Sequence, residues 1–244
     1  MWLSDKSFFV LFLAIVPLAY LAQAQPVDST FPKPFTQKVE GWVVEFGIEL
    51  KEETNAQAFN QSVKALANHL QRITYLMPKS KLEELQKMSI RVDLDHELDS
   101  MQYHVDSEWL VESGFDPSLL KRVHIPQAHL LFDRRMWLKQ PYAILHELAH
   151  AYHDQVLGFE NEAIIEAFNR VERERLYHQV LDFEGRKTSH YALSNPMEFF
   201  AEMTEAYVGM NDFYPFVRAE LKTYDPQTFS LMKKIWGDFE YSYP

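Results

Sequence analysis

The residues best suited to chemistry in this chain are two histidines and a glutamate in the pattern HExxH, at His146, Glu147 and His150. On an α-helix, positions i and i+4 differ by only about 40° around the axis and about 6 Å along it, so both imidazoles can bind one ion. Glu147 lies one step around the helix, where its carboxylate can face a water on that ion. Two fixed ligands, a polarised water and a base are what metal-assisted hydrolysis requires.

The helix that carries this motif is expected to be buried. An apolar run precedes the motif at 142–145, and the segment 131–156 is apolar on the side that carries the histidines. Buried polar groups without partners are costly, and a metal ion would be the partner that these need. The alternative is a surface helix with two histidines and a glutamate, because HExxH also arises by chance.

A third metal ligand has two possible sources, His153 and a separate helix. His153 lies seven residues after His146 and faces the same way, but it is about 10 Å further along the axis. On a straight helix the two cannot share an ion at about 2 Å. His153 is therefore expected to pack in the core or to support the site, and the separate helix is the better source.

That second helix is predicted to begin after Asn195, a good N-cap, with Pro196 in its first position and Gly209 as its stop. It carries three carboxylates at i, i+4 and i+7, namely Glu198, Glu202 and Glu205. Such a stripe is usually a solvated face, but bulky apolar residues surround this one. A carboxylate from this helix would complete a zinc site of two histidines and one glutamate, with an open fourth position.

The two motifs together resemble the gluzincin metallopeptidases related to the anthrax toxin lethal factor catalytic domain and the clostridial Pro-Pro endopeptidases. The similarity covers about residues 141–209 and consists of HELAHAYHD followed by Tyr-x-x-Ser-Asn-x-x-Glu-Phe-Phe-Ala-Glu. It implies that Glu198 is the third zinc ligand, that Tyr191 stabilises the oxyanion and that Glu202 orients a ligand histidine. Residues 32–132 match no such motif, so the resemblance implies no substrate preference.

The first 24 residues predict an exported protein. A short polar start precedes an apolar run at 8–21 that contains Pro17, and Ala22-Gln23-Ala24 offers small residues at the cleavage-defining positions. We expect a signal peptide at 1–24 and a secreted or periplasmic mature chain from Gln25 without a membrane segment. A retained membrane anchor is the alternative, although the run is short for a spanning helix.

The composition favours one packed domain. The chain has no cysteine, so an exported form must be held by packing alone. Its net charge of −11 argues against nucleic acid or anionic lipid as a partner and favours basic substrates electrostatically. We expect an extended lead-in at 25–38 and a single catalytic domain at 39–244.

The order of the elements predicts an α+β fold with a small N-terminal sheet, and the family resemblance implies that this is a zincin-like metallopeptidase domain. Apolar patterns predict strands at 42–50, 90–94 and 123–132. Helical spacing and proline positions predict further helices at 59–77 and 161–176 and helices that open at Pro215 and Pro226. Strands first, with the helices that carry the site later, are typical of α+β proteins.

Two segments have ambiguous patterns. Tyr103 and His104 precede the site and can line a cleft, but a lone Tyr-His pair in an irregular segment is more often structural. The aromatic residues at 211–216 are expected to pack beneath the second helix.

The sequence therefore predicts an exported zinc-dependent metalloendopeptidase with one Zn²⁺ and a peptide or protein as substrate. Glu147 would take a proton from the zinc-bound water and return it to the leaving amine, and Tyr191 would donate a hydrogen bond to the oxyanion. One alternative is a secreted non-catalytic peptide- or protein-binding module on a metallopeptidase scaffold, which would not need Glu147. Zinc hydrolysis of a non-peptide bond is another alternative.

Overall fold

The computed structural model describes residues 31–239, which form a five-stranded sheet, a two-stranded ribbon and nine α-helices. The strands of the sheet are β1 (Phe35–Val39), β2 (Trp42–Phe46), β3 (Ser89–Val92), β4 (Gln102–Tyr103) and β5 (Arg122–Ile125), and the ribbon consists of β6 (Val180–Leu181) and β7 (Lys187–Thr188). The helices are α1 (Ala56–Leu76), α2 (Lys79–Leu85), α3 (Ser107–Glu112), α4 (Arg134–Lys139), α5 (Ala143–Tyr152), α6 (Glu162–Arg173), α7 (Pro196–Val208), α8 (Arg218–Tyr224) and α9 (Pro226–Trp236). The predicted α+β class is confirmed.

The strands of the sheet lie in the order β1-β2-β3-β5-β4. The two outer pairs, β1 with β2 and β4 with β5, are antiparallel, whereas β2, β3 and β5 run parallel to one another. Parallel neighbours need crossover connections. One crossover contains α1 and α2, and the other contains α3. In this strand order, β4 forms one edge of the sheet.

The strand predicted at 42–50 is shorter in the structure. Alternation buries Trp42, Val44 and Phe46 in β2, but the strand ends at Phe46. At Gly47 an added Cβ would lie 2.6 Å from a carboxylate oxygen of Asp93, and the chain leaves the sheet here. A 3-10 turn follows at Ile48–Lys51, which continues the apolar alternation without a strand.

Two other strand predictions differ at their ends. The strand predicted at 90–94 is β3, which stops at Val92. The run predicted at 123–132 contains β5 only as far as Ile125, because Pro126 follows and cannot donate a ladder hydrogen bond. The rest of that run forms a 3-10 turn at Ala128–Leu131.

The helix predicted at 59–77 corresponds to α1, which buries Leu66, Leu70 and Ile73 and packs against β1. The helix predicted at 161–176 corresponds to α6, with Asn161 as its N-cap. The opening of α9 at Pro226 is confirmed, and Asp225 caps it by accepting from the Thr228 amide. The prediction that a helix opens at Pro215 is wrong, since α8 begins at Arg218.

The two helices that carry the predicted site form the centre of the molecule. Helix α5 contacts β4, β5 and α7. Every residue of α5 except His150 is buried, and the ten residues of α7 from Phe199 to Val208 are all buried. Helices that are covered on all sides are core elements, so the predicted burial of the HExxH helix agrees with the structure.

Several expectations concern the N-terminal residues. The predicted signal peptide at 1–24 and residues 25–30 of the predicted lead-in lie outside the described residues. Residues 35–38 of the lead-in belong to β1. Among residues 31–239, no helix is both long enough and apolar enough to cross a membrane.

Candidate metal centre

Helix α5 presents the two histidines of the HExxH motif on the same side. The Nε2 atoms of His146 and His150 lie 3.1 Å apart. The His146 side chain is 5 % exposed and the His150 side chain 12 % exposed. Both imidazoles therefore meet in a nearly enclosed place at the wall of a cavity.

The start of α7 brings Glu198 to the same place. Asn195 caps this helix by accepting hydrogen bonds from the amides of Met197 and Glu198, both at 2.9 Å. Pro196 occupies the first turn, where its missing N–H is not needed. With the chain fixed in this way, an oxygen of the Glu198 carboxylate lies 3.1 Å from His146 Nε2 and 3.3 Å from His150 Nε2.

The spacing of these three atoms fits a divalent metal ion. Ligands at about 2.0–2.1 Å from a tetrahedral zinc ion are separated from one another by about 3.3 Å, and the three distances here are 3.1, 3.1 and 3.3 Å. Two imidazoles and one carboxylate are also ligand types that suit zinc. The three residues form a group that can hold a metal ion.

The other nitrogen of His146 is held by Glu205. His146 Nδ1 lies 2.7 Å from a carboxylate oxygen of Glu205 and 3.5 Å from one of Glu202. A proton on Nδ1 that bonds to Glu205 leaves the Nε2 lone pair free for a metal. The carboxylate that orients this histidine is thus Glu205, whereas the family resemblance implied Glu202.

Glu202 instead connects α7 to the loop that follows it. The side-chain amide of Asn211 donates to the backbone carbonyl of Glu202 at 2.7 Å and to the Glu202 carboxylate at 3.0 Å. Burial, together with repulsion from Glu205, raises the pKa of Glu202 well above its usual value. Both Glu202 and Glu205 belong to the carboxylate stripe seen in the sequence, but the spacing alone does not tell which one reaches the histidine.

Glu147 and Tyr191 line the same cavity, which has a volume of about 600 Å³. The other lining residues are Ser100, Met101, Gln102, Tyr103, Val105, Lys139, Gln140, His146, His150, Phe159, Met197, Glu198, Glu202, Asp212 and Phe213. Burial raises the pKa of Glu147. A carboxylate with a raised pKa is a stronger base than an ordinary glutamate.

Tyr191 lies at the mouth of the cavity, on a 3-10 turn just before α7. His190 caps this turn by accepting from the Ala192 amide at 3.1 Å. Tyr191 is 49 % exposed. Burial of part of the ring and the nearby Glu198 carboxylate raise the pKa of Tyr191, so its phenol keeps the proton that a hydrogen-bond donor needs.

His153 lies apart from the three ligand atoms. It is fully buried, and its ring centroid is 5.0 Å from that of Phe159 and 4.9 Å from that of Phe200. Within the described residues, neither of its ring nitrogens has a hydrogen-bond partner. This agrees with the packing role expected from its distance along the helix.

The two ambiguous segments both contribute to the cavity. Tyr103, Asp212 and Phe213 line it, so the purely structural expectation for Tyr103 and the packing expectation for 211–216 were incomplete. His104 is buried and its Nε2 lies 3.0 Å from Nδ1 of His124, which fits a structural residue. Strand β4 places Tyr103 at the cavity, and a two-residue strand leaves no periodic signal in a sequence.

Comparison with known proteins gives one family and one solved structure. Residues 139–235 match the family model described as anthrax toxin lethal factor, N- and C-terminal domain. The solved structure is that of the Pro-Pro endopeptidase PPEP-2 from Paenibacillus alvei, with 19 % identity, a TM-score of 0.40 and coverage of 70 % of this chain and 89 % of that chain. No curated protein matches the sequence. The family match confirms the resemblance to the anthrax toxin lethal factor domain for residues 139–235.

Proposed function

We propose that this protein is a zinc-dependent metalloendopeptidase whose zinc is held by His146, His150 and Glu198. The observation that carries the proposal is the convergence of three ligand atoms within 3.1–3.3 Å of one another at the wall of a cavity. The gluzincin motifs and the relation of residues 139–235 to the lethal factor domain support the same activity. The packing of α5 against the sheet and α7 supports a zincin-like domain.

Zinc bound by these residues would polarise the carbonyl of the scissile peptide bond and lower the pKa of water. Glu147 is the residue that handles the proton. Its carboxylate lines the cavity beside both histidines, and its raised pKa suits a group that takes a proton from water and then returns it to the leaving amine. Direct attack on a carbonyl by water requires such a base.

Tyr191 is the residue that stabilises charge on the carbonyl oxygen. It lines the cavity from the 3-10 turn before α7. A donor placed where negative charge develops lowers the barrier, because the charge appears only in the transition state. In this proposal Glu205 has a supporting role, since its bond to His146 Nδ1 at 2.7 Å fixes the tautomer that a metal ligand needs.

The substrate would bind along β4. The N–H of His104 donates to the carbonyl of Arg122 at 3.2 Å, and Tyr103 pairs with Val123. In an antiparallel pair, residues bonded to the partner strand alternate with residues whose N–H and C=O face the other way. The backbone groups of Tyr103 therefore face the open edge, where an extended peptide can add as a further strand.

Export is part of this proposal and rests on the signal-peptide pattern of residues 1–24. An export signal would place the enzyme outside the cytoplasm, where peptide and protein substrates are encountered. The electrostatic preference for basic substrates expected from the net charge of −11 also belongs to the proposal.

The test is cleavage-site profiling of a random peptide library, with zinc content measured on the same samples. We expect cleavage by the purified protein, loss of cleavage with a chelator and recovery when zinc is added. Glu147→Gln keeps the size of the side chain but cannot accept the proton, so it should bind zinc and cleave nothing. The matched control is Glu160→Gln, an exposed glutamate outside the cavity, which should remain fully active.

Two results would contradict the proposal. Cleavage that persists in Glu147→Gln would remove the proposed mechanism. A zinc-loaded wild-type protein that binds peptides and cleaves none would instead support the non-catalytic binding module.

A further inference from the structure

Strand β4 is too short to hold its own position firmly. It has two residues and forms one edge of the sheet, where β5 is its single neighbour among the strands of residues 31–239. The ladder bonds available to such a strand are few, so side-chain contacts must fix its place. This matters because Gln102 and Tyr103 line the cavity together with His146 and Glu147.

The side chain of Tyr103 is bonded to the segment that continues the HExxH helix. Its hydroxyl donates to a carboxylate oxygen of Asp154 at 2.6 Å and accepts from the Gln155 amide at 3.0 Å. Asp154 belongs to the π-helical turn His153–Leu157, which follows directly on α5. The ammonium of Lys121 lies 3.3 Å from the same carboxylate oxygen.

This contact is a buried, charge-assisted hydrogen bond. Tyr103 is 9 % exposed, and the Asp154 side chain is 17 % exposed. Burial and the adjacent Asp154 carboxylate raise the pKa of Tyr103, so the phenol remains a donor. Hydrogen bonds to an ionised acceptor are stronger than neutral ones, and the distance of 2.6 Å is typical of such bonds.

Tyr103 thus connects two parts of the site. Its backbone N–H and C=O face the open edge of β4, while its phenol is bonded to the helix that carries His146, Glu147 and His150. The segment with Asp154 is continuous with that helix. A peptide bound along β4 is therefore held at a distance from the histidines that depends on the bond between Tyr103 and Asp154.

We infer that Asp154 is a positioning residue, which acts through the Tyr103 phenol to hold β4 as the docking edge for the main chain of a peptide substrate. The inference rests on the proposed function for the identity of the ligand. Its structural part, that Asp154 holds β4 in place, does not depend on catalysis.

The test compares Tyr103→Phe with Tyr152→Phe. Tyr152 is a matched control because its hydroxyl also donates to a carboxylate, that of Glu84 at 2.8 Å. Tyr152 is the last residue of α5, the helix that carries the HExxH motif. It is 1 % exposed, and its hydroxyl bonds to α2 rather than to β4. Both variants lose one phenol–carboxylate bond, and only Tyr103→Phe loses the bond between β4 and the helical segment that contains Asp154.

For Tyr103→Phe we expect KM for a peptide substrate to rise about tenfold, while kcat stays within about twofold. Asp154→Ala should do the same, and Asp154→Asn should recover most of the loss because its amide oxygen still accepts from the phenol. Tyr152→Phe should leave KM unchanged. Lys121→Met removes only a half-exposed ion pair, so it should have little effect.

Amide hydrogen exchange gives a readout that needs no activity. The amide of His104, which bonds to the Arg122 carbonyl, should exchange faster in Tyr103→Phe and Asp154→Ala and at the wild-type rate in Tyr152→Phe. Unchanged exchange together with unchanged KM would overturn the inference, as would a fall in kcat at constant KM. If the wild-type protein cleaves nothing, the proposed function fails, and the exchange rates alone decide whether Asp154 holds β4.

Discussion

Glu198, Glu202 and Glu205 illustrate how residues of one type on one helix differ in role. Glu198 meets both histidines at their Nε2 atoms, and Glu205 meets His146 at Nδ1. Glu202 bonds mainly to Asn211. The imidazole ring has nitrogens on opposite sides, so two carboxylates two turns apart can both bond to it.

The zinc content of three variants separates these roles. Glu198→Ala leaves only two protein ligands, so it should abolish zinc binding or lower the affinity for zinc severely. Glu205→Ala should lower the affinity for zinc by about 10- to 100-fold, as is usual when a ligand histidine loses its carboxylate partner. Glu202→Ala should retain more zinc than Glu205→Ala. The measurement is elemental analysis and competitive zinc titration on the folded proteins.

Full zinc content in Glu198→Ala would show that the ligand set is wrongly assigned. A larger loss in Glu202→Ala than in Glu205→Ala would restore the role that the family resemblance implied for Glu202.

Tyr191→Phe removes only the hydroxyl at the cavity mouth. We expect kcat to fall about 100-fold, comparable to the loss of one oxyanion donor, while KM and zinc content change little. Tyr142→Phe is a useful comparison because Tyr142 packs against Gly209 and does not line the cavity. Unchanged kcat in Tyr191→Phe would exclude a role for this phenol in the reaction.

At this scale the sequence predicts much of the candidate site. HExxH on a helix requires its two histidines to be neighbours, and the N-cap at Asn195 fixes where α7 begins. That Glu198 meets those histidines is what the family resemblance implied. The partner of His146 Nδ1 does not follow, because it depends on the packing of α5 against α7. The same holds for the contact of Tyr103 with Asp154, which joins residues 51 positions apart.

Among the elements, α7 depends on its cap. Asn195→Ala should lower the free energy of unfolding by about 1 kcal/mol and also weaken zinc binding, because the cap accepts from the Glu198 amide itself. Asn161→Ala, the same change at the N-cap of α6, should lower stability without changing zinc affinity. Urea unfolding and zinc titration measure the two effects. Equal zinc affinity in the Asn195 variant and the wild type would show that the cap does not position Glu198.

The long helices were predictable and the sheet only in part. Helices α1, α6 and α7 carry a clear period and good caps. The sheet mixes parallel and antiparallel pairs, and its strands are two to five residues long. Such short strands end where Gly47 or Pro126 intervenes, and neighbouring turns continue their apolar pattern. The start of α8 after Pro215 is set by Glu220. Its carboxylate accepts hydrogen bonds from the backbone amides of Phe216 and Val217.

Over the whole molecule, buried neutral histidines link stability to pH. Burial lowers the pKa of His69, His104 and His153 from 6.5 to about 4. A folded-state pKa below the unfolded value means that the unfolded chain binds more protons in this range. The stabilising contribution is therefore complete above about pH 6.5 and is lost as pH falls towards about 4.

For each such histidine we expect a loss of about 1.5 kcal/mol between pH 6.5 and pH 5. His153→Leu tests this most directly, because neither nitrogen of His153 has a partner among the described residues. The variant should show a shallower dependence of unfolding free energy on pH than the wild type. His129→Leu, at an exposed position, should keep the wild-type dependence. Parallel curves for His153→Leu and the wild type would contradict the prediction.

The brevity of β4 has a consequence for protein engineering. Two residues span only about 7 Å, so main-chain pairing can align little more than a dipeptide of the substrate. Selection among substrates then falls to the cavity walls, where residues 100–101 and 212–213 lie on irregular segments outside α5 and α7. A library randomised at those four positions leaves the two central helices untouched, and is the natural starting point for redirecting cleavage to new target sequences.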